Sequence, residues 1–184
     1  MTGLAHAIIA LVALQRLAEM AHARRNTARL RAAGAVEAGA RHYPLIVGLH
    51  AAWLAALALT VPLDAAIQWP WLVAFAALQA ARVWTIGSLG RFWTTRVLVM
   101  PGVTPVRRGP YRWLRHPNYV VVALEIPMLP LALGAEAVAL GFGAANLAVL
   151  AWRIRVEDDA RASMSAREPA GSGKSEDNGA AGRT

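Results

Sequence analysis

Two residues near the end of the chain could bind opposite charges side by side. Arg153 and Glu157 are four residues apart, so on a helix they share one face. The carboxylate would attract a cation and the guanidinium an anion. The same pair could instead be a salt bridge at a helix end, which contributes little when it is exposed. The spacing alone leaves both interpretations open.

A second segment with chemical potential is residues 101–119, which is too rich in glycine and proline to be one continuous helix. It carries two tyrosines, a tryptophan and a histidine beside free backbone amides. Such a surface suits a polar, partly cationic ligand with a purine ring. A basic loop with aromatic residues at a membrane interface has the same composition. The chain contains no dinucleotide-binding glycine motif, Walker loop or nucleophile elbow.

The composition indicates that these residues are positioned by a membrane-embedded scaffold. Of 184 residues, 57% are hydrophobic and only 16% are charged, and the mean hydropathy is +0.38. Soluble domains carry about 25% charged residues. The net charge of +8 comes from basic residues between apolar blocks, a pattern of membrane topology and not of a nucleic-acid-binding face. Without cysteine, disulfides and cysteine-ligated zinc are excluded, and no metal site is expected.

Apolar blocks predict an all-α, polytopic transmembrane helical bundle of about five spans. The fourth block is short and contains Pro127 and Pro130, and a turn at 134–136 joins it to the fifth. These two blocks therefore predict a C-terminal helical hairpin. The blocks cover approximately residues 4–20, 44–61, 69–89, 120–133 and 135–152.

The arginines indicate which ends of the spans face the cytoplasm. Three segments, 22–43, 91–117 and the tail from Arg153, are basic, whereas the opposite segments, residues 1–3, the loop 62–68 and the turn at Gly134, contain no lysine or arginine. The positive-inside rule then predicts an outside N-terminus and a cytoplasmic C-terminus. We expect three regions: N-terminal transmembrane helices (1–89), a cofactor-binding loop with the C-terminal hairpin (90–160), and a disordered cytoplasmic tail (161–184).

Charged residues inside the predicted spans also need partners. Glu125 lies in the fourth block, where a carboxylate is costly and faces the protein interior. Arg82 in the third block is a plausible partner, in either a structural or a functional pair. Arg16 and Glu19 are expected to form an interfacial pair, and Asn146 to bridge helices.

The two segments together resemble the isoprenylcysteine carboxyl methyltransferase family, and more distantly the phospholipid N-methyltransferases. The resemblance lies in RGPYRWLRHPNY at 108–119, followed by Arg153-x-x-x-Glu157-Asp158, and covers about residues 90–159. It implies an integral membrane enzyme that uses S-adenosylmethionine to methylate a carboxylate or hydroxyl oxygen of a lipophilic acceptor. The bacterial subgroup suggests an alkylpyrone or phenolic lipid as acceptor and the bacterial inner membrane as location.

The resemblance also implies roles for individual residues. Arg153 matches a substrate-binding arginine, and Glu125 is predicted as a second substrate residue. Arg153 and His116 are the predicted catalytic residues; His116 would act as base for a phenol or enol, whereas a carboxylate needs none. Val120 stands where the family often has glycine, and could narrow the approach to the pocket. The predicted cofactor contacts are Val103, Thr104, Pro105, Val106, Tyr111, His116, Pro117, Asn118, Tyr119 and Glu157.

Two other functions remain open on the sequence. A phospholipid amine N-methyltransferase would share the motifs, but a cationic acceptor favours acidic or aromatic neighbours over Arg153. A non-enzymatic transporter or scaffold would use Glu125 and Arg82 as a transport path or a structural pair. Affinity for S-adenosylmethionine distinguishes the enzymes from the third alternative.

Overall fold

The computed structural model describes residues 2–38, 43–100 and 106–165, with side chains up to Asp159. Its architecture is the predicted helical bundle, with one addition. Two three-residue strands, which the sequence did not predict, pair antiparallel as Val36↔Val99, Glu37↔Leu98 and Ala38↔Val97. In chain order the elements are α1 (Leu4–Ala32), β1 (Val36–Ala38), α2 (Tyr43–Thr60), α3 (Trp69–Leu89), β2 (Val97–Val99), α4 (Pro117–Ala132) and α5 (Glu136–Ser165).

Four of the helices in the described ranges, α1, α2, α3 and α5, are long and apolar enough to cross a membrane. The protein is therefore a multi-pass membrane protein. Helix α4 has 16 residues, which gives it a length of about 24 Å against a hydrocarbon core of about 30 Å. Large apolar side chains such as Leu11, Leu59 and Leu140 point outward, as expected for surfaces that face lipid.

Helix α4 is the most enclosed of the five. It begins with Pro117 in its first turn and contains Pro127 and Pro130, as the sequence indicated. It packs mainly against α3 and α5, and Asn146 Nδ2 donates to the Val122 carbonyl across the α4–α5 interface at 3.3 Å. The predicted hairpin and the interhelical role of Asn146 are confirmed.

Backbone hydrogen bonds define the two ends of the bundle. At one end, Gly3 N donates to Leu63 O and Gln68 N donates to Ala132 O, which joins the start of α1, the α2–α3 connection and the end of α4. At the other end, the β1–β2 pair joins the α1–α2 and α3–α4 connections. Within the described ranges, all the arginine-rich connections lie at this second end.

Two helices extend beyond their predicted ends. Helix α1 continues to Ala32, so the first half of the expected basic loop at 22–43 is helical. Helix α5 continues to Ser165, past the expected start of the tail at 161. A helix can continue past the membrane surface through polar residues. A prediction from hydropathy alone therefore places the ends of both helices too early. The rest of the predicted tail, 166–184, lies outside the described residues.

Candidate active site

A tyrosine hydroxyl links the two charged residues that the sequence placed on one helix face. Tyr119 Oη donates to Glu157 Oε2 at 2.6 Å, and Arg153 Nε donates to Tyr119 Oη at 2.8 Å. Arg153 is only 9% exposed. Helix α5 thus supplies the arginine and the carboxylate, and the first turn of α4 supplies the hydroxyl between them.

His116, the residue immediately before α4, also lies against Tyr119 and Glu157. Its ring stacks on Tyr119, with centroids 5.1 Å apart and planes 7° apart. Its Nδ1 lies 3.9 Å from Glu157 Oε2, which is an ion pair when the imidazole is protonated. Pro117 follows at the start of α4, where a missing N–H removes no helical hydrogen bond. An aromatic stack therefore lies against a carboxylate at the helix start.

A second hydrogen bond fixes the orientation of the Arg153 guanidinium. Arg153 Nη2 donates to the backbone carbonyl of Thr95 at 2.8 Å, and the guanidinium carbon lies 5.4 Å from the centroid of the Tyr119 ring. Thr95 was not among the predicted site residues. A backbone carbonyl contact leaves no side-chain signature, so the sequence carried no direct signal for it.

Tyr111 lies close enough to this cluster to be influenced by its charge. It is partly buried in the short 3-10 turn Gly109–Arg112. Burial raises the pKa of the Tyr111 phenol, and the nearby Tyr119 and Glu157 raise it further. The Tyr111 hydroxyl therefore remains protonated at neutral pH and can donate a hydrogen bond.

The glycine of the RGPY segment has a structural explanation. Gly109 adopts φ +57°, and a Cβ there would overlap the Ser88 side chain and lie 3.3 Å from Trp84 Nε1. Arg108 Nε donates to the Ser88 carbonyl at 2.7 Å, beside the glycine. This part of the motif thus attaches the loop to the end of α3, so that Tyr111 and His116 follow from a fixed point.

Asn118 contributes an unsatisfied polar atom. Its Oδ1 is buried, and in the part of the chain that the structure describes it has no hydrogen-bond partner. Buried acceptors of this kind usually have a partner, often a ligand or water. A ligand with N–H or O–H donors would satisfy it.

The structure therefore brings together most of the predicted site on the α4 start and α5. The members of this group are His116, Pro117, Asn118, Tyr119, Arg153 and Glu157, with Tyr111 nearby. Val106 is partly buried at the start of the described loop. Val103, Thr104 and Pro105 lie outside the described residues. The roles assigned to all of these residues remain predictions.

Glu125 belongs to a different region, a charge network inside the bundle. Its Oε1 accepts from Gln79 Nε2 at 2.8 Å, and its Oε2 accepts from Arg82 Nη1 at 2.8 Å and from Arg16 Nη2 at 3.0 Å. Arg82 is thus confirmed as a partner of Glu125. The carboxylate is 1% exposed. Its predicted contact with substrate remains a prediction.

The expected pair of Arg16 and Glu19 forms, but it is part of a larger network that includes Arg82 and Glu125. Glu19 accepts three hydrogen bonds from Arg82, at 2.7–2.9 Å, as well as one from Arg16 at 3.1 Å. Residues that the sequence placed at the end of a span are thus part of a buried network between helices. Beside it, a groove of about 580 Å³ runs between α1 and α3, with polar side chains such as Gln15, Glu19 and Gln79 and apolar ones such as Val83, Ile86 and Trp93.

Comparison with known proteins agrees with the residues that form the site. Residues 71–163, which run from α3 to α5, match the isoprenylcysteine carboxyl methyltransferase (ICMT) family. The uncharacterized protein YpbQ of Bacillus subtilis (strain 168) is 41% identical over 157 residues, which is 83% of this chain and 94% of the relative. No solved structure matches the chain.

Proposed function

Because this chain belongs to the isoprenylcysteine carboxyl methyltransferase family, we propose that it transfers a methyl group from S-adenosylmethionine to a carboxylate or hydroxyl oxygen of a lipophilic acceptor. The observation that carries this proposal is the Tyr119 hydroxyl held between Arg153 and Glu157. It joins an anion-binding group and a cation-binding group at one end of a membrane bundle. An alkylpyrone or phenolic lipid is a suitable acceptor class.

The residues around Tyr119 fit the proposed cofactor. When bound, S-adenosylmethionine supplies a methyl group on a positively charged sulfur, beside an amino-acid end and a purine. Glu157 and the stacked rings of His116 and Tyr119 suit positive charge. The buried Asn118 Oδ1 could accept a hydrogen bond from an N–H group of the cofactor. The protonated Tyr111 hydroxyl could donate one to the carboxylate of its amino-acid end.

Arg153 is suited to hold the oxygen that receives the methyl group. Its Nε donates a hydrogen bond to Tyr119 and its Nη2 donates one to Thr95. Nη1 has no recorded hydrogen bond within the described residues and can donate to an acceptor. An ionised carboxylate needs no base, so positioning and exclusion of water would provide most of the catalysis. For a hydroxyl acceptor, His116 is the candidate base.

The buried positive charge also argues against an amine acceptor. Arg153 would repel a protonated amine at the position where the acceptor should bind. Phospholipid N-methylation is therefore the weaker alternative. The charge network around Glu125 is neutral, with two arginines and two glutamates, and its carboxylates are hydrogen-bonded. A charge-transport path through it has correspondingly little support.

The arrangement of the ends supports a cytoplasmic cofactor site. Tyr119 and Glu157 belong to the same end as β1 and β2, where the described arginine-rich connections lie. By the positive-inside rule this end faces the cytoplasm, which supplies the soluble methyl donor. We propose the bacterial inner membrane as the location, with an outside N-terminus.

The test combines binding with product chemistry. Purified protein in detergent is titrated with S-adenosylmethionine by calorimetry, then supplied with tritiated methyl donor and a bacterial lipid extract. Mild alkali releases label from a methyl ester but not from a methyl ether, which separates carboxylate from hydroxyl acceptors. Glu157→Gln is expected to weaken cofactor binding about 10- to 100-fold, since a hydrogen bond to a charged group contributes about 1.5–3 kcal/mol.

The matched control is Glu136→Gln, the same change at the other end of α5. It should leave cofactor affinity unchanged. Absence of cofactor binding by the folded wild-type protein, or equal effects of the two substitutions, would contradict the proposed function.

A further inference from the structure

A second polar pocket lies at the arginine-rich end of the bundle, beside the proposed transfer site, with which it shares Thr95. Its cavity volume is about 230 Å³. Its walls come from α1, from the start of α2 and from the residues before β2. The lining residues are Arg24, Thr27, Ala28, Arg31, Tyr43, Thr95 and Arg96.

Helix α1 brings its share of the lining to one face. Positions 24, 27, 28 and 31 have the i, i+3, i+4, i+7 spacing of a single helical stripe. At 29 residues, α1 is about 43 Å long, roughly 13 Å more than a hydrocarbon core. The apolar part of α1 is N-terminal, so the stripe falls in the last three turns, at the depth of lipid headgroups.

The charges around the pocket do not cancel. Glu37 accepts hydrogen bonds from Arg96, at 2.5 Å, and from Arg31. Burial alone would raise the pKa of Glu37, but the two arginines more than offset this and lower it, so the carboxylate is ionised at neutral pH. Three arginines against one carboxylate leave an excess of two positive charges. Arg24 forms no ion pair with any residue that the structure describes.

Neutral donors accompany this charge. Three of the lining residues, Thr27, Tyr43 and Thr95, carry hydroxyl groups, and Thr95 Oγ1 donates to Tyr43 Oη at 3.4 Å. The Arg96 guanidinium carbon lies 4.1 Å from the centroid of the Tyr43 ring, which holds that arginine against the wall. Guanidinium and hydroxyl donors around a small space are the groups that bind phosphate.

We propose that this pocket binds the phosphate group of an anionic membrane lipid. The cavity is smaller than the roughly 300–1,000 Å³ of pockets for drug-sized ligands, so it suits a headgroup and not an acyl chain. Its depth and charge suit the anionic cytoplasmic leaflet, which attracts juxtamembrane arginines. This site is additional to the proposed methyl transfer and does not depend on it.

The pocket is also connected to Arg153. The side chain of Thr95 lines the pocket, and the carbonyl of the same residue accepts the hydrogen bond from Arg153 Nη2. A phosphate bound beside Thr95 would restrain the peptide that orients Arg153. Anionic lipid would then order the arginine end of the proposed transfer site.

Native mass spectrometry of the detergent-purified full chain tests the proposal. The protein is titrated separately with dioleoyl phosphatidylglycerol and dioleoyl phosphatidylcholine, and bound lipid is counted. We expect phosphatidylglycerol to bind at least about fivefold more tightly, and Arg24→Gln to weaken it about five- to tenfold, as expected for one arginine near an anionic headgroup. Arg25→Gln, the same charge change at the next position and outside the pocket, should have less than a twofold effect.

Two further measurements keep the proposal falsifiable. Tyr43→Phe removes one hydroxyl and keeps the ring under Arg96, and it should weaken phosphatidylglycerol about two- to threefold. Millimolar inorganic phosphate at matched ionic strength should compete poorly with the lipid. If phosphate competes fully and depends on Arg24, the lipid assignment is overturned in favour of a soluble phosphate ligand. Equal effects of the Arg24 and Arg25 substitutions, or no preference between the lipids, would overturn the site itself.

Discussion

Arginine and glutamate meet in two regions of this protein, and the two regions differ in whether the opposite charges pair directly. Inside the bundle, Glu125 accepts three hydrogen bonds and is 1% exposed. At the arginine-rich end, Glu157 and Arg153 are joined through the Tyr119 hydroxyl, and Asn118 Oδ1 beside them is left without a partner within the described residues. In the first region both glutamates pair directly with arginines, although Arg16 Nε is buried without a hydrogen-bond partner in the described part of the chain. In the second region the arginine and the carboxylate meet through a hydroxyl, an arrangement with capacity for a ligand.

The difference shows why residue type alone does not identify a functional site. A charge within a membrane must be neutralised and hydrogen-bonded before the helices are stable. The network of Arg16, Glu19, Arg82 and Glu125 balances its charges internally and hydrogen-bonds both carboxylates. Near the surface, water can satisfy part of the demand until a ligand replaces it. Substitutions in the two regions should therefore change different measured quantities.

The largest expected effect is on stability, from Glu125→Leu. Removing this carboxylate leaves Arg16 and Arg82 with one partner, Glu19, for two charges. Breaking a buried ion pair in this way should lower the free energy of unfolding by about 3–5 kcal/mol. Unfolding in detergent, followed by circular dichroism, measures the loss.

A double variant shows whether the loss comes from unbalanced charge. Arg82→Met combined with Glu125→Leu leaves Arg16 and Glu19 as a neutral pair, with Gln15 still hydrogen-bonded to Glu19. It should recover most of the stability that the single change removes, because hydrophobic replacement of a whole buried pair is often neutral. A double variant as unstable as the sum of the two single variants would contradict this explanation.

Much of the fold could be predicted from hydropathy and charge. The prolines of α4 and the Gly134 turn marked the hairpin, and α3 spans the predicted 69–89. What hydropathy could not indicate was the polar continuation of α1 to Ala32. Hydropathy also could not predict the β1–β2 pair, because a three-residue strand is too short to show a period and depends on a partner about 60 residues away.

The site was predictable where side chains form a motif and not where the backbone participates. His116, Tyr119 and the Arg153/Glu157 spacing were visible in the sequence, although the tyrosine bridge between the last two was not. Thr95 contributes a carbonyl, which every residue has, so its identity gave no signal. Arg16 and Glu19 were correctly paired, but their further partners were missed because these lie on other helices, at separations of 63 residues for Arg82–Glu19 and 109 for Arg16–Glu125.

A smaller effect on stability is expected at the loop attachment, from Gly109→Ala. The backbone at φ +57° disfavours a side chain, and the added Cβ would overlap Ser88. The cost should be about 1–3 kcal/mol. Methyl transfer should fall as well, since the loop between α3 and His116 must shift. Gly134→Ala, also at positive φ but with no atoms near the added Cβ, separates backbone strain from overlap.

Tyr119→Phe should affect the proposed activity more than the fold. The ring stack on His116 is retained, but the hydroxyl that joins Arg153 to Glu157 is lost. One net hydrogen bond contributes about 0.5–1.5 kcal/mol to stability, while misplacement of both charged groups should lower kcat/KM about tenfold. Parallel measurement of labelled product and unfolding midpoint tests this. A large fall in midpoint with unchanged kcat/KM would make the bridge a structural element like the Glu125 network.

The smallest effect should come from Asp158, which follows Glu157 in the sequence motif but lies closer to solvent. It pairs with Arg115 at 2.8 Å, and the side chains are 39% and 62% exposed. Exposed pairs contribute about 0–1 kcal/mol, so Asp158→Asn should lower the free energy of unfolding by no more than about 1 kcal/mol and change cofactor affinity by no more than about fivefold. If Asp158→Asn weakens the binding of S-adenosylmethionine as much as Glu157→Gln does, the exposed carboxylate of Asp158 also takes part in cofactor recognition. The ligand-binding region would then extend beyond the residues joined by Tyr119, because a solvent-exposed ion pair would contribute to binding as much as the less exposed Glu157 does.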